Sequence, residues 1–466
     1  MQASLVVHAH FYQPLRDDPV NGQIPPEFGA EPFSNWNQRI AAECYRPNAE
    51  LGNFEHVSFD LGPTLASWLE RNLPKVHRSI CEAERKRYRE RGFGGGLAQA
   101  YHHTILPLAS RREKELQVAW GIADFEHRFG HRPRGLWLPE TAVDTETLEV
   151  LAEQGIEFTV LAPWQAARFE HHPFEPRWAE LPSGRRIALF FYHGPLSGRL
   201  SFDPGLSINA DAFTRHFLQP LGWQAARRRH SRPLILVATD GELYGHHQKH
   251  REHFLAYLLR HAAPQAGFAV TTLERYLDEH PPGHTVSLRE PSSWSCWHGV
   301  ARWQSDCPCT AESGWKSGFR DLLSRLAARL DELYQEHSQR WLGDGDRLLE
   351  RSVELSRPGK KLGALVTEIA DRRLAPARLG RLRKLLEAQW LRHRMFTSCA
   401  WFHGELARLE VRNNLAAARA AVALTTKAVG FDPAPAIEAE LTALAERAGE
   451  PSAPKSSERL AARDAA

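Results

Sequence analysis

The sequence lacks any apolar run of the roughly 20 residues that a membrane-spanning helix needs. Its first residues, MQASLVVHAHF, contain neither the basic segment nor the cleavage site of a signal peptide. Charge of one sign is also scarce, because 59 lysines and arginines face 56 aspartates and glutamates, a net charge of +3. So small an excess gives no strong attraction to nucleic acid or to an anionic membrane. We therefore expect neither partner, and the sequence leaves the oligomeric state open.

Cysteine is sparse, with six residues in 466 and no framework spacing for a chain of this size. Reduced thiols in a cytoplasmic protein are therefore the expectation. One tryptophan-rich loop holds Cys296, His298, Cys307 and Cys309. The C-x-H and C-x-C spacings are compatible with a structural zinc but match no recognised zinc finger. We expect a polar loop without a metal, and no cofactor.

What the sequence does contain is a succession of short apolar runs that alternate with helical patterns. Polar clusters follow most of these runs, which favours a parallel α/β architecture. About seven βα units fit the pattern, and an irregular (β/α)7 barrel over residues 1–285 is therefore predicted. After Pro281-Pro282-Gly283 the chain turns rich in leucine, alanine and arginine, which predicts an all-helical domain over residues 286–430 whose aromatic loop reaches the site. Residues 431–466 are expected to form a weakly helical or disordered tail.

Two stretches carry acids directly after an apolar run. RGLWLPE ends at Glu140, and PLILVATDGELYGHH contains Asp240 and Glu242 after a predicted strand. The carboxyl ends of parallel strands meet at one edge, so we expect Glu140 and Asp240 to face one another across one pocket. Such a pair is the minimum for glycoside cleavage, with the acid kept protonated by a neighbouring anion such as Glu242 or Glu140. The alternative is that Asp240 caps a helix and Glu140 forms a salt bridge.

His8 and His10 end the first predicted strand and allow a different chemistry. An H-x-H pair at a strand end is typical of metal sites in barrel hydrolases, and Asp240, His246 or His102 could complete a zinc site. A metal-dependent hydrolase or deacetylase using His8, His10 and Asp240 is therefore the alternative enzyme class. The imidazoles could instead donate hydrogen bonds to sugar hydroxyls or be satisfied within the barrel rim. A catalytically silent glucan-binding protein is a third possibility, which the intact acid pair disfavours.

Five motifs, in the right order over about residues 4–335, resemble those of glycoside hydrolase family 57, whose members act on α-glucans. They are His8-Ala-His10-Phe-Tyr-Gln13-Pro14, with two residues inserted; Gly96-Leu-Ala-Gln-Ala-Tyr101-His102-His103; Gly135-Leu-Trp137-Leu-Pro139-Glu140; Asp240-Gly-Glu242-Leu-Tyr244-Gly245; and Ser293-Trp294 with Arg302-Trp303. The region from Trp294 onward further resembles an uncharacterised C-terminal domain that is found joined to barrels of this family.

The resemblance implies a (β/α)7 barrel followed by helices, without a metal. It also implies a retaining α-glycosidase or α-glucanotransferase with Glu140 as nucleophile and Asp240 as acid/base. Their carboxyl groups are then expected roughly 5–7 Å apart. The predicted substrate-binding residues are His8, His10, Gln13, His102, His103, Trp137, Trp164, Glu242, Tyr244, Trp294 and Trp303. Asp60 is expected to be a structural residue and not a third acid.

Overall fold

The computed structural model describes residues 3–19, 21–168, 174–227, 233–371, 373–430 and 435–449. Residue contacts divide the chain into two units. The first contains the residues up to Leu15 and Ile24–Val300, and the second contains Arg16–Gln23 and the residues from Ala301 onward. No helix among the described residues has both the length and the apolarity that crossing a membrane requires.

A parallel sheet forms the centre of the first unit. The strands of the unit are β1 Ser4–Phe11, β2 Ser58–Leu61, β3 Gly96–Gln99, β4 Leu136–Trp137, β5 Phe158–Leu161, β6 Arg177–Glu180, β7 Arg186–Phe191, β8 Leu234–Asp240 and β9 Ala269–Val270. The order β4-β3-β2-β1-β8 runs across the main sheet, with β9 also paired to β1. Every residue of β1 is buried, as is expected of a strand covered on both faces.

A smaller sheet with the order β5-β7-β6 completes the set of strands. A parallel bridge between Gly135 and Phe158 links β5 to the end of the main sheet at β4. At the other end, the His193 amide after β7 donates to the Leu236 carbonyl of β8 over 2.7 Å. The α/β prediction is thereby confirmed, whereas closure of the strands into a seven-stranded ring stays a prediction.

Helices follow most of the strands of the first unit. The α-helices are Trp36–Ile40, Arg46–Glu50, Pro63–Asn72, Pro74–Arg91, Arg111–Phe129, Thr145–Glu153, Gly194–Phe202, Ala210–Phe213, Gln219–Arg227, Arg251–Tyr257, Ala263–Gln265 and Leu273–Glu279. Wider π-helical turns occupy Ala41–Tyr45, Thr214–Leu218 and Leu258–Ala262. Single 3₁₀ turns follow β4 at Pro139–Thr141, β5 at Pro163–Gln165 and β8 at Gly241–Leu243.

Close packing holds the strands that carry the polar motifs. A Cβ at Gly121, in the helix after β3, would lie 1.9 Å from the Gln99 carbonyl oxygen. A Cβ at Gly241, directly after β8, would lie 2.3 Å from the Phe11 ring. Only glycine permits either approach, so both positions fix the ends of the strands that carry the polar clusters.

The regular elements in the described residues of the second unit are all helical. Its α-helices are Lys316–Leu342, Gly345–Arg351, Leu362–Ala370, Pro376–Arg394, Cys399–Phe402, Leu409–Val429 and Pro435–Gly449. In the first of these, Phe319, Leu322, Leu323, Leu326 and Leu330 are buried at helical spacing. The helical prediction for this region is confirmed. The boundary expected at residue 285 stays a prediction, and of the expected tail, residues 431–434 and 450–466 lie outside the described residues.

Candidate active site

The register of three neighbouring strands brings polar side chains to one level. His10 of β1 pairs with Asp60 of β2 on one side and with Asp240 of β8 on the other. Gln99 of β3 pairs in turn with Trp137 of β4. The carboxyl ends of five adjacent strands therefore assemble the predicted motifs, as the alternation of strands and helices in the sequence requires.

Asp60 is the centre of a buried hydrogen-bond network. Its Oδ1 lies 3.1 Å from His8 Nε2, its Oδ2 lies 2.8 Å from His10 Nδ1, and Gln99 Nε2 donates to Oδ2 over 2.7 Å. The other ring nitrogen of His8 lies 3.1 Å from Ser58 Oγ. Both nitrogens of His8 are thus used within the protein, and Asp60 orients the two histidines.

Burial and charge act against one another in this network. Burial opposes a charged His10, but the Asp60 charge and hydrogen bond, with Asp240 and Glu242, outweigh it and raise the pKa of His10 to about 9. Burial also dominates at His8, whose pKa is lowered. Asp60 is opposed by burial too, yet its two histidine partners keep its pKa below the usual value. The site therefore contains a cationic His10 beside an anionic Asp60.

Glu140 has a backbone conformation that side chains rarely adopt. Its φ is 58° and its ψ is 20°, in the turn directly after β4. The carboxylate Oε2 accepts hydrogen bonds from Trp294 Nε1 over 3.0 Å and Ser295 Oγ over 2.7 Å. The Trp294 amide also donates to the Glu140 carbonyl over 3.1 Å. A strained residue held by three donors from one loop is typical of a functional position.

The acids of the site influence one another. Burial is the main cause of the raised pKa of Glu140; the two side-chain donors oppose it, and the Asp240 charge adds to it. Asp240 is exposed, whereas Glu242 is buried and accepts a hydrogen bond from Tyr45 Oη over 2.6 Å. Burial chiefly, with the Asp240 charge, raises the pKa of Glu242 to about 7. Strongly perturbed acids in one cluster mark a candidate catalytic centre.

With this geometry established, comparison with known proteins identifies the family. The model of glycosyl hydrolase family 57 matches residues 23–289, more than half of the chain. The chain belongs to glycosyl hydrolase family 57. A domain of unknown function, DUF3536, matches residues 312–449. The predicted family and its C-terminal domain are both confirmed.

Several curated proteins resemble the chain at low identity. Alpha-amylase 1 of Dictyoglomus thermophilum is 27% identical over 138 residues, 28% of this chain and 19% of the relative. A probable 1,4-α-glucan branching enzyme of Mycobacterium tuberculosis is 27% identical over 248 residues, 43% of this chain and 45% of the relative. The chain therefore spans less than half the length of these curated relatives.

Solved structures share the fold over nearly the whole chain. A maltose-forming amylase of a Pyrococcus species has a TM-score of 0.76 at 15% identity, covering 94% of this chain and 83% of that one. A branching enzyme of Thermococcus kodakaraensis has a TM-score of 0.65 at 16% identity, covering 96% and 95%. At identities this low, the structural likeness shows only that these proteins have a common fold.

Three of the predicted substrate-binding aromatics of this family 57 chain, Trp137, Tyr244 and Trp303, are fully buried. Trp137 is fully buried, and its ring stacks on His8 at 4.7 Å and on His10 at 5.1 Å between ring centroids. Tyr244 is also fully buried, in the apolar core. Neither Trp137 nor Tyr244 has an open face on which a sugar could stack, so direct substrate binding by these two rings does not fit this burial. Trp137 instead packs against the two histidines of the site, and Tyr244 packs in the core.

Other predicted substrate-binding residues are buried as well. His103 has a positive φ of 54°, and its ring stacks on Tyr12 at 3.7 Å and on His10 at 5.6 Å. His102 is buried beside the Gln117 amide, 3.1 Å from its Nδ1. Gln13 is a hydrogen-bond partner of Tyr45. Trp303 is fully buried in the second unit, where Arg320 donates to its carbonyl.

A row of aromatic rings leads away from Trp294, which donates to Glu140. The Trp294 ring lies 6.3 Å from Tyr192, Tyr192 lies 6.0 Å from Trp164, and Trp164 lies 5.3 Å from Trp297. Trp297 is 76% exposed, which is unusual for so large an apolar ring. The four rings form a row in which Trp164, Trp294 and Trp297 are at least partly exposed and Tyr192 is buried.

The sequence did not single out two residues that hold the acids. Tyr45 reaches Glu242 from a helix 197 positions earlier in the chain, and no local pattern announces such a contact. Ser295 follows Trp294 directly, so its proximity to a recognised motif was the available signal. Asp60 was expected to be structural; it organises the site without facing solvent.

Donor atoms that could hold a metal converge at one place in the described part of the chain. They belong to Cys296, His298, Cys307 and Cys309, all within 4.8 Å of one another. His8 Nε2 and His10 Nδ1 instead point to the two oxygens of Asp60. The zinc site suggested for His8, His10 and Asp240 therefore gains no support from the hydrogen bonds.

Proposed function

We propose that the protein is a retaining α-glycosidase or α-glucanotransferase that acts on α-glucans such as maltodextrins. Glu140 attacks the anomeric carbon while Asp240 protonates the leaving glycosidic oxygen. The bond to the leaving sugar breaks, and a glycosyl-enzyme forms on Glu140. Asp240, now ionised, then takes the proton of a water molecule or of an acceptor hydroxyl, which releases the sugar from Glu140.

The observation that carries this proposal is the pair of hydrogen bonds that orient the Glu140 carboxylate. Trp294 and Ser295 both donate to Oε2, which leaves Oε1 to bond to the sugar. Burial alone would favour a neutral carboxyl, and the two donors stabilise the anion that a nucleophile needs. Asp240 lies at the end of another strand, close enough for its charge to shift the pKa of Glu140. Their carboxyl separation of roughly 5–7 Å stays a prediction of the retaining mechanism.

The relatives support an α-glucan as the substrate. Their names include amylases, branching enzymes and a 4-α-glucanotransferase. These activities share a glycosyl-enzyme and differ in which acceptor reaches it. A cytoplasmic location stays our expectation from the cysteine pattern, and the domain limits 1–285, 286–430 and 431–466 stay proposals.

Within this proposal the site residues have separate roles. His10, Gln13, His103, Trp164 and Trp294 bind the sugar. We assign a positioning role to four other residues that were predicted to bind substrate: His8, His102, Trp137 and Tyr244. Glu242, whose pKa is raised to about 7, is partly protonated near neutral pH and interacts electrostatically with Asp240. Trp303 stays a proposed substrate-binding residue.

Incubation with maltoheptaose, followed by mass spectrometry of the products, tests the proposal. Longer and shorter chains together indicate transfer, and only shorter chains indicate hydrolysis. Glu140→Gln should abolish either reaction while the protein still binds the glucan, because the amide is isosteric but cannot act as the nucleophile. Unchanged maltoheptaose with the wild-type protein, or full activity of Glu140→Gln, would contradict the proposal.

A further inference from the structure

The loop from Ser292 to Ser313 has little regular structure of its own. Its regular element is the 3₁₀ turn Ala301–Trp303, between the helix that ends at Glu279 and the helix that begins at Lys316. Loops longer than about 12–15 residues without such elements are uncommon in compact domains and need another source of order. The cysteines of this loop form no disulfide.

Four metal-binding side chains lie within 14 consecutive residues of this loop. Cys296 and Cys307 are buried, Cys309 is half-buried and His298 is exposed. One donor atom from each lies within 4.8 Å of all the others. The sequence-based expectation of a loop without a metal did not anticipate this convergence, because C-x-H and C-x-C are not a known finger spacing.

We propose that Cys296, His298, Cys307 and Cys309 bind one structural zinc ion. Three thiolates and one imidazole form a complete tetrahedral set, which is the composition of structural and not of catalytic zinc sites. Zinc–ligand distances of about 2.0–2.3 Å place tetrahedral donor atoms about 3.6–3.8 Å apart. Donors that already lie within 4.8 Å need contract by only about 1 Å.

The zinc replaces the order that a core or a disulfide would supply. The thiols lose their protons on binding, so zinc holds the four side chains by bonds that a solvated polar loop could not form. The exposed imidazole of His298 leaves an entry path for the ion from solvent. The ligands belong to one continuous segment, so local chain geometry suffices to build the site.

The position of Cys296 gives the site a consequence for Glu140. Ser295 and Trp294, which both donate to the Glu140 carboxylate, directly precede Cys296. Zinc at Cys296 therefore fixes the segment that orients Glu140. This consequence rests on the proposed function, whereas the presence of the ion does not.

The test is the metal content of the full-length protein, purified from a reducing host without chelators or a metal-affinity tag. Elemental mass spectrometry should find about one zinc per wild-type chain, the stoichiometry of a four-ligand site. Cys296→Ser and Cys309→Ser should each lose most of it. Cys399→Ser, which removes a cysteine outside the group, is the matched control and should keep the zinc. Wild-type protein without stoichiometric zinc, a disulfide among the three loop cysteines, or equal loss in the control would overturn the proposal.

Cobalt separates metal binding from a folding defect. Wild-type protein reconstituted with Co²⁺ should show an intense thiolate-to-cobalt charge-transfer band and the visible spectrum of a tetrahedral ion. His298→Cys should keep a tetrahedral spectrum, whereas His298→Ala should lose it while circular dichroism stays unchanged. A tetrahedral spectrum that persists in Cys296→Ser/Cys309→Ser would assign the ion to other residues. Bound zinc in a protein inactive on glucans would leave this site intact and count against the proposed function only.

Discussion

At the scale of single residues, the balance between burial and hydrogen bonding decides what each acid can do. Glu140 precedes Asp240 in the chain and Glu242 follows it, and both glutamates have raised pKa values. Glu140 receives two donors on one oxygen, whereas Glu242 receives the Tyr45 hydroxyl. The two glutamates therefore differ in environment. Hydrogen bonds from two side chains stabilise the anion of Glu140, whereas burial favours the protonated form of Glu242.

Removing the Ser295 hydroxyl should shift the acid limb of the pH–activity profile. Ser295→Ala deletes one hydrogen bond to the Glu140 anion, so the pKa of Glu140 should rise further. Activity is lost as pH falls through the pKa of a nucleophilic carboxylate, and the acid limb should therefore move to higher pH. Measuring kcat/KM against pH tests this.

Ser305→Ala is the matched control for that variant. It removes a serine hydroxyl of the same loop. This hydroxyl donates to the Ala301 carbonyl and not to Glu140. Its acid limb should stay where the wild-type limb lies. Coincident profiles for Ser295→Ala and wild type would mean that the hydroxyl does not stabilise the Glu140 anion.

Glu242 should make folding stability depend on pH in a definite direction. Its folded pKa of about 7 lies above the usual value of 4.5, so the stability that the protonated form provides is present below pH 4.5 and is lost as pH rises through 7. Glu242→Gln removes this titration. Its unfolding free energy relative to wild type should therefore increase between pH 4.5 and pH 8, by roughly 3 kcal/mol.

Chemical denaturation at several pH values measures this difference. Gln keeps an oxygen that can accept from Tyr45, so the hydrogen bond is preserved while the charge is removed. Glu279→Gln, an exposed carboxylate in a surface ion pair, is the control and should show little change with pH. A Glu242→Gln difference that is flat with pH, or that grows toward acid, would show that Glu242 is not a buried, proton-keeping acid.

At the scale of elements, short turns after the strands place the site. The turn after β4 puts Glu140 in the left-handed region, and the turn after β8 begins at Gly241, against Phe11 of β1. Both turns follow strands whose neighbours are fixed by parallel pairing. The strained residue is therefore the candidate nucleophile Glu140 itself, and the close-packed Gly241 directly follows Asp240.

The helix after β4 offers a test of how the scaffold is held. Asp144 is its N-cap, accepting from the Thr147 amide over 2.8 Å, and it also pairs with the buried Lys114 at 2.9 Å. Asp144→Asn keeps the cap and loses the charge, whereas Asp144→Ala loses both. Alanine should therefore cost about 1 kcal/mol more than asparagine in unfolding free energy. Equal losses in thermal and chemical denaturation would assign the whole effect to the ion pair.

Sequence patterns predicted most of the elements but not all of the contacts between them. The buried strand before Asp240, the Asp144 cap and the helix Arg111–Phe129 follow directly from apolar periodicity and capping chemistry. The antiparallel β6 was missed, since its residues Arg177–Glu180 show no apolar run. The apolar pattern of one segment indicates where a strand lies but not which other strand it pairs with.

At the scale of the whole molecule, motif order and resemblance identified the family, and tertiary packing decided the roles. Trp137 and Tyr244 look like sugar platforms in a linear motif, yet packing against the strand ends buries both. Tyr45 and Glu242 are linked only because the sheet brings β1, β2 and β8 side by side. The loop cysteines converge through the path of a long irregular segment, which no spacing rule describes. Distances between residues far apart in sequence are therefore the part that the sequence could not supply.

The most direct test of the central claim is to identify the residue that forms the glycosyl-enzyme. Asp240→Ala should be treated with an α-maltosyl fluoride, whose leaving group needs no acid. Glycosylation then proceeds, whereas the second step lacks its base and the intermediate accumulates. After proteolysis, mass spectrometry should find one maltosyl group on Glu140, and the Glu140→Gln/Asp240→Ala double variant should remain unlabelled. A maltosyl group on Asp60 or Glu242, or fluoride release without any labelled peptide, would contradict the assignment of Glu140 as the nucleophile.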